Sequence, residues 1–344
     1  MIDLRSDTVT LPSKEMKEFL IKSPLGDDVY GEDPSVCNLQ NQVADIFNKE
    51  AALFVPSGTM ANLISVLTHC NRGEEILLGN KSHIFYYEAG GVSGFGGIHS
   101  HQLNNNDDGT INIDDIKNNI RKNGDDHFPE TTLLCLENTH NYCYGSPIHL
   151  DYFQNVKSLI DKHKIKLHLD GARIFNASVA LETPVNELTK NADSISCCLS
   201  KGLSSPVGSV IIGNTKFITK AKRIRKALGG GMRQAGILAA AGIFSLNNMI
   251  ERLEEDHANA LELAQKLSDL QYISIDVKKV KTNILFINLE KNNMADEQFL
   301  NQLNKNNIKI DYKGNRKFRL VTHYGFNKSQ INIVIEIINN ILKD

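Results

Sequence analysis

Apolar and polar positions alternate along this chain with two periods, and their order predicts an α/β protein. Residues 51–55, 75–79, 131–137, 165–170, 192–199 and 207–213 are compact runs rich in Leu, Ile, Val and Cys, with the length and content of buried strands. Residues 36–49 carry Val36, Leu39, Val43, Ile46 and Phe47 at helical spacing, and further helices are predicted from Pro56 to Cys70, over 111–120, through Val156, Leu159 and Ile160, and over 217–228. The 207–213 strand follows its predecessor so closely that it should lie antiparallel to it. Residues 2–10 are short, polar and extended in character, Pro12 and Ser13 then open a helix, and residues 27–34 hold too many acids, Gly and Pro for either element.

After residue 235 the pattern changes. Helices run to about residue 270, and short strands (275–280, 284–289, 308–312, 317–323) then alternate with helices (295–305, 328–343). The division expected is an N-terminal arm over 1–35, a large domain over 36–248 and a small α+β domain over 249–344. A length of 344 residues agrees, being more than one core usually fills.

Composition narrows the function classes. Hydrophobic residues make up 41% and charged residues 23%, with a formal net charge of -2, so no basic field points to nucleic acid. The N-terminus is charged where a signal peptide would be apolar, and the longest apolar run, 235–246, is too short to span a bilayer. A cytoplasmic protein that binds neither nucleic acid nor membrane is expected. Six cysteines include no Cys-x-x-Cys pair, and His99 and His101 are taken as a histidine-rich surface loop, so no metal site is expected.

The chemistry begins at Ser200-Lys201-Gly202, where a lone lysine follows the strand 192–199. A partly buried ammonium must be paired, reach water or lose its charge, and forming an imine with pyridoxal phosphate is one way to lose it. Asp170 ends another strand, and a carboxylate there could keep a pyridine nitrogen protonated. Ser57-Gly58-Thr59 opens a helix whose free amides suit a phosphate. Taken singly, Lys201 could snorkel, and Asp170, Ser57 or Thr59 could serve only as caps. Yet Thr59, His83, His140, Asp170 and Lys201 each follow a predicted strand, and α/β sheets bind ligands at the carboxyl ends of their strands. The basic run ending at Lys226, before Gly229-Gly230-Gly231, fits either a solvated helix face or an anion contact.

Several stretches together resemble one family. Residues 4–10 (LRSDTVT), 57–62 (SGTMAN), 87–91 (YEAGG), 137–141 (ENTHN), 170–173 (DGAR), 200–203 (SKGL), 229–236 (GGGMRQAG) and 319–323 (RLVTH) resemble the low-specificity L-threonine aldolases, in family order and over nearly the whole chain. The resemblance implies an aspartate-aminotransferase fold (fold type I): a three-layer large domain around a mostly parallel sheet, with a smaller α+β C-terminal domain. It implies pyridoxal 5'-phosphate held by Lys201, Asp170, Arg173, Ser57, Gly58 and Thr59, with His83 stacked on its ring and Lys226 contributing from a neighbouring subunit. Ser6, Arg173 and Arg319 would bind the substrate carboxylate; by residue type and strand-end placement His83 and His140 are the candidate bases, with a bound water as the alternative. The implied reaction is cleavage of L-threonine or L-allo-threonine to glycine and acetaldehyde, in a homo-oligomer, dimer or tetramer, with shared sites. Another enzyme of the same fold, an aminotransferase or β-eliminating lyase, is the alternative, since the cofactor motifs alone leave the bond to be broken open. A non-catalytic phosphate-binding domain on this fold is the reading from outside enzymology. Ser204-Ser205 and Tyr142-Cys143-Tyr144 depart from the common family pattern and bear on substrate range.

Overall fold

The computed structural model describes residues 1–121, 125–291 and 293–343. A two-residue strand β1 (Ile2–Asp3) leads in, followed by β2 (Ala51–Val55), β3 (Glu75–Gly79), β4 (His99–Leu103), β5 (Thr131–Glu137), β6 (Lys166–Asp170), β7 (Ser194–Cys198) and β8 (Ser209–Gly213). The last seven form one sheet in the order β2-β8-β7-β6-β5-β3-β4. Only β8 runs against its neighbours, as expected from its short connection to β7. The other adjacent pairs are parallel.

The strands read as apolar runs because both faces of the sheet are covered. In β2, Ala52 and Phe54 enter the main core while Leu53 and Val55 enter a cluster with Ile64, Ile211 and Phe217. Likewise β5 sends Leu134 and Leu136 to the main core, and Leu133 and Cys135 to a cluster with Ile76 and Leu78. Alternate residues therefore face different helix layers, which makes the three-layer architecture.

The C-terminal part has its own core. The strands β9 (Ile273–Ser274), β10 (Ile284–Leu289), β12 (Asp311–Tyr312) and β13 (Lys317–Val321) pair antiparallel in the order β12-β13-β10-β9, while β11 (Ile308–Lys309) pairs in parallel with β1. Helices Leu253–Ser268, Asp296–Lys305 and Lys328–Lys343 bury Leu263, Phe299, Ile331 and Val334 against this sheet, and Leu4 joins the same cluster. The N-terminal arm is stitched there by Leu4 N to Lys309 O (2.8 Å) and Val321 N to Leu4 O (2.8 Å). This docking carries Ser6 and Asp7 to the large sheet.

Local expectations differ from the structure in several places, among them Asp7–Val9, a 3₁₀ turn capped by Ser6 within the stretch expected to be extended. Residues 99–103 form the edge strand β4, not a loop; one side faces water, so a mostly polar sequence hid the backbone pairing with β3. Within 275–280 there is a 3₁₀ turn, Val277–Lys279, because the Asp276 carboxylate accepts the Lys278 amide at 3.2 Å. The single strand expected over 308–312 is two strands with different partners, β11 and β12, on either side of Ile310. Among the described residues, no helix is long and apolar enough to cross a membrane.

Candidate active site

Because β2, β3, β5, β6 and β7 are parallel, their carboxyl ends lie at one edge of the sheet. A cavity opens there, lined by Ser6, His83, Tyr87, Asn141, Arg173, Lys201, Lys313 and Arg319 among others. Residues from the arm, the large sheet and β13 thus meet in one place. Lys201 follows β7 and is half-buried.

Asp170, the last residue of β6, is 2% exposed. Its Oδ1 accepts the Ala172 amide at 3.0 Å and its Oδ2 accepts Asn62 Nδ2 at 2.8 Å. Burial pushes its pKa up, but the charges of His83 and Lys201 and the Asn62 hydrogen bond outweigh that and hold it below the ordinary carboxylate value.

Asn62 lies on the helix Gly58–His69 and is the centre of a buried network. Its Nδ2 donates to Asp170 and to Glu88 Oε1, the latter at 2.8 Å. Two carboxylates fix the amide orientation, so Oδ1 must accept, from Ser196 Oγ at 2.7 Å and His168 Nε2 at 3.1 Å. His168 is then protonated on Nε2, and its Nδ1 accepts from Ser194 Oγ at 2.9 Å. That hydroxyl in turn accepts from His69 Nε2 at 2.7 Å. Burial lowers His168 to about 4 and His69 to about 3, so both are neutral near pH 7. The donors in this chain all point towards Asp170, which favours its anion.

His83 stands after β3, its backbone N–H donating to Glu137 Oε2 at 2.8 Å and its Nδ1 lying 2.8 Å from Glu88 Oε1. His140 follows β5, is 1% exposed, and neither ring nitrogen has a hydrogen-bond partner among the described residues. It does not line the cavity with Lys201. His83, Glu88 and Asp170 bring their ligand atoms within 4.8 Å of one another, the distance range of a cation site. Hydrogen bonds already join all three, directly or through Asn62.

The two arginines differ. Arg173 is held by Asp7 in a two-pronged pair, Nε to Oδ2 and Nη2 to Oδ1, each 2.7 Å, leaving Nη1 to reach Asn141 Oδ1 at 3.2 Å. Burial raises the Asp7 pKa and Arg173 lowers it by more, so Asp7 stays ionised. Arg319 donates to Asn141 Oδ1 (2.7 Å) and to Arg5 O (3.0 Å), pairs with Asp311 (2.9 Å), and keeps a buried Nε with no hydrogen-bond partner among the described residues. Ser6 Oγ accepts the Thr8 amide at 3.2 Å and lines the cavity.

At the end of β2, Ser57 caps the helix Gly58–His69 by accepting the Met60 amide at 3.2 Å. The amides of Gly58 and Thr59 lie at the first positions, before the helical ladder begins. Gly58 must lack a side chain, since a Cβ would stand 2.7 Å from Cys198 Sγ. Ser57 and Thr59 are exposed, and so is Lys226, which does not line the cavity. Sequence reasoning gave no role to Asp7, Asn62, Glu88, Asn141 or His168. Four of these lie inside the motifs quoted above, and His168 lies two residues before Asp170.

A lysine and a carboxylate at neighbouring strand ends, on a mostly parallel three-layer sheet, define a protein of fold type I. The structure of Leishmania major threonine aldolase superposes with a TM-score of 0.84 over 99% of this chain and all of that one, at 17% identity. The beta-eliminating lyase family model matches residues 3–290. Low-specificity L-threonine aldolase 1 of Arabidopsis thaliana is 44% identical over 337 residues, 97% of this chain and 94% of its own length. The low specificity L-threonine aldolase of Escherichia coli strain K12 is 44% identical over 331 residues, 96% of each chain. The chain belongs to the beta-eliminating lyase family, among the low-specificity L-threonine aldolases.

Proposed function

We propose that this protein cleaves β-hydroxy-α-amino acids, L-threonine and L-allo-threonine, to glycine and acetaldehyde with pyridoxal 5'-phosphate as cofactor. The observation that carries the reading is one cavity that brings Lys201 together with Arg173 and Arg319, with the charge of Lys201 acting on the buried Asp170. The donor set fits the cofactor. Asp170 is a buried anion able to hold a proton on a pyridine nitrogen, Lys201 is an amine for its aldehyde, and Gly58 and Thr59 present amides to a phosphate. Ser82 Oγ, Thr139 Oγ1 and both His140 nitrogens, after β3 and β5 and outside the lining of this cavity, are buried without hydrogen-bond partners among the described residues.

When bound, the cofactor supplies an electron sink attached to the substrate amine. Asp170, kept ionised by Asn62 and the donors behind it, holds the pyridine proton. Arg319 and Arg173, which line the cavity, hold the substrate carboxylate with Ser6, which fixes how the α-carbon is presented. Asp7 and Asn141 keep these forks in place. A base at the β-hydroxyl, His140, His83 or a water, takes the proton as the Cα–Cβ bond breaks.

We further propose a homo-oligomer, a dimer or tetramer, in which Lys226 of a second copy reaches the phosphate end. Exposure of Ser57, Thr59 and Lys226 in the single chain supports this. Quantifying glycine and acetaldehyde from L-threonine, beside pyruvate, ammonia and keto acids, tests the reaction. Equal glycine and acetaldehyde is expected; ammonia or a keto acid as the main product would make the chain an eliminating lyase or aminotransferase.

A further inference from the structure

We propose that Glu88 is a positioning residue which holds His83 as an imidazolium, so that His83 meets its ligand as a fixed cation and is not the base. The catalytic consequence rests on the proposed function; the charge assignment rests on this chain alone.

Glu88 is 5% exposed, and its Oε1 accepts from both His83 Nδ1 and Asn62 Nδ2, each at 2.8 Å. The second hydrogen of the Asn62 amide goes to Asp170 Oδ2. One neutral amide therefore ties two buried carboxylates together. Its dipole cannot offset two negative charges, and buried carboxylates this close oppose each other's ionisation unless a cation stands by. The groups facing His83 are Glu88 from the turn after its own short helix, Asp170 at the end of β6, Glu137 at the end of β5, Lys201 after β7, and the Tyr87 ring. Three are carboxylates and one is a cation, a balance that one imidazolium improves. Burial alone would lower the His83 pKa, yet the Glu88 hydrogen bond and the Asp170 charge raise it above the ordinary value of 6.5.

An imidazolium has no lone pair to receive a proton. His83 can then donate through Nε2 and balance charge, while the β-hydroxyl proton must go to His140 or to water. His140 is buried outside the lining of the cavity, so it would receive that proton through a water, on a ring whose nitrogens have no hydrogen-bond partner among the described residues.

The test is a pH titration of the His83 ring nitrogens by ¹⁵N-¹H correlation in histidine-labelled protein, assigned by loss of the signal in His83→Asn. Spectra are taken of the whole protein both loaded with pyridoxal phosphate and freed of it, and compared with Glu88→Gln. In wild type the ring is expected to be protonated on both nitrogens at pH 7. Gln at 88 still offers an oxygen to His83 and Asn62 but no charge, and should lower the midpoint by about one pH unit or more. A neutral His83 ring in wild type at pH 7 would overturn the proposal, as would equal midpoints in the two proteins. If Glu88→Gln does not fold, the wild-type titration decides the charge and Glu88→Asp takes the comparison. Failure of the cleavage reaction would leave the cofactor-free titration readable, so the two proposals fail separately.

Discussion

The two ends of the proposed cofactor bed are built on different physical plans. Around Asp170 the side chains of Asn62, Glu88, His168 and Ser196 are buried and paired with one another within one chain. Around Ser57-Gly58-Thr59 the helix N-terminus is open, with Ser57, Thr59 and Lys226 exposed. Setting the protonation of a ring nitrogen requires low dielectric and fixed dipoles, so that end must exclude water before any ligand arrives. Holding a phosphate requires only free amides and positive charge, which can be completed later or by a second copy.

The largest test of this contrast is Asp170→Asn. A neutral partner no longer favours the protonated ring, so turnover should fall by about 100-fold, or about 2.7 kcal/mol of barrier, while cofactor remains bound. Unchanged turnover would remove Asp170 from the site. Arg319→Ala should raise KM by roughly 10- to 100-fold through loss of charge-assisted hydrogen bonds, with the cofactor absorbance band kept. A lost band with unchanged KM would place Arg319 at the cofactor instead.

Buried histidines, two of them in this network and His257 beside Asn176, also predict how stability depends on pH. His69, His168 and His257 are held neutral by burial, at about 3, about 4 and about 4. The unfolded chain binds protons on all three from about 6.5 downward, while the native state does not, so stability must fall as pH drops from about 6.5 towards 4. The limiting slope is about 1.4 kcal/mol per pH unit for each histidine. Urea unfolding at pH 7 and pH 5 measures it, and equal stabilities would contradict neutral burial. Asp7 acts lower: its depressed pKa gives stability present above the ordinary carboxylate range and lost below it. The smallest effect is expected at the open end, where Lys226→Ala should weaken cofactor binding a few-fold and leave the product ratio alone. At limiting cofactor, and provided Lys226→Ala alone is clearly impaired there, mixing it with Lys201→Ala subunits should regain activity if Lys226 serves a neighbour; no gain after verified exchange would then assign Lys226 to its own chain.

Much of the fold was legible because buried strands carry their signal in apolar runs. β2, β3 and β5 appear in the sequence at their observed bounds, and the close spacing of β7 and β8 fixed their antiparallel pairing. β4 was not legible, since an edge strand is held by backbone bonds to β3 and four of its five residues are polar. Lys201, His83, Arg173, Arg319 and Ser6 were legible from strand-end position and resemblance, and they line one cavity. Asn62, Glu88 and His168 were not, because the network through Asn62 that joins them is made of contacts 26 to 134 residues apart in sequence. The helix over 217–228 reads as a basic face, but Arg225 is buried on Asp28 at 2.8 Å and donates to Phe54 O at 2.7 Å. Charge alone could not show which basic residue turns inward.

The most direct test joins chemistry to residue. The protein loaded with pyridoxal phosphate is reduced with borohydride and digested, and a parallel sample is assayed with L-threonine beside Lys201→Ala. The account predicts cofactor fixed on the peptide containing Lys201, equal glycine and acetaldehyde from wild type, and near loss of both in the variant, roughly 10³-fold or more. Cofactor fixed on another lysine, or threonine cleaved by Lys201→Ala at the wild-type rate, would contradict it.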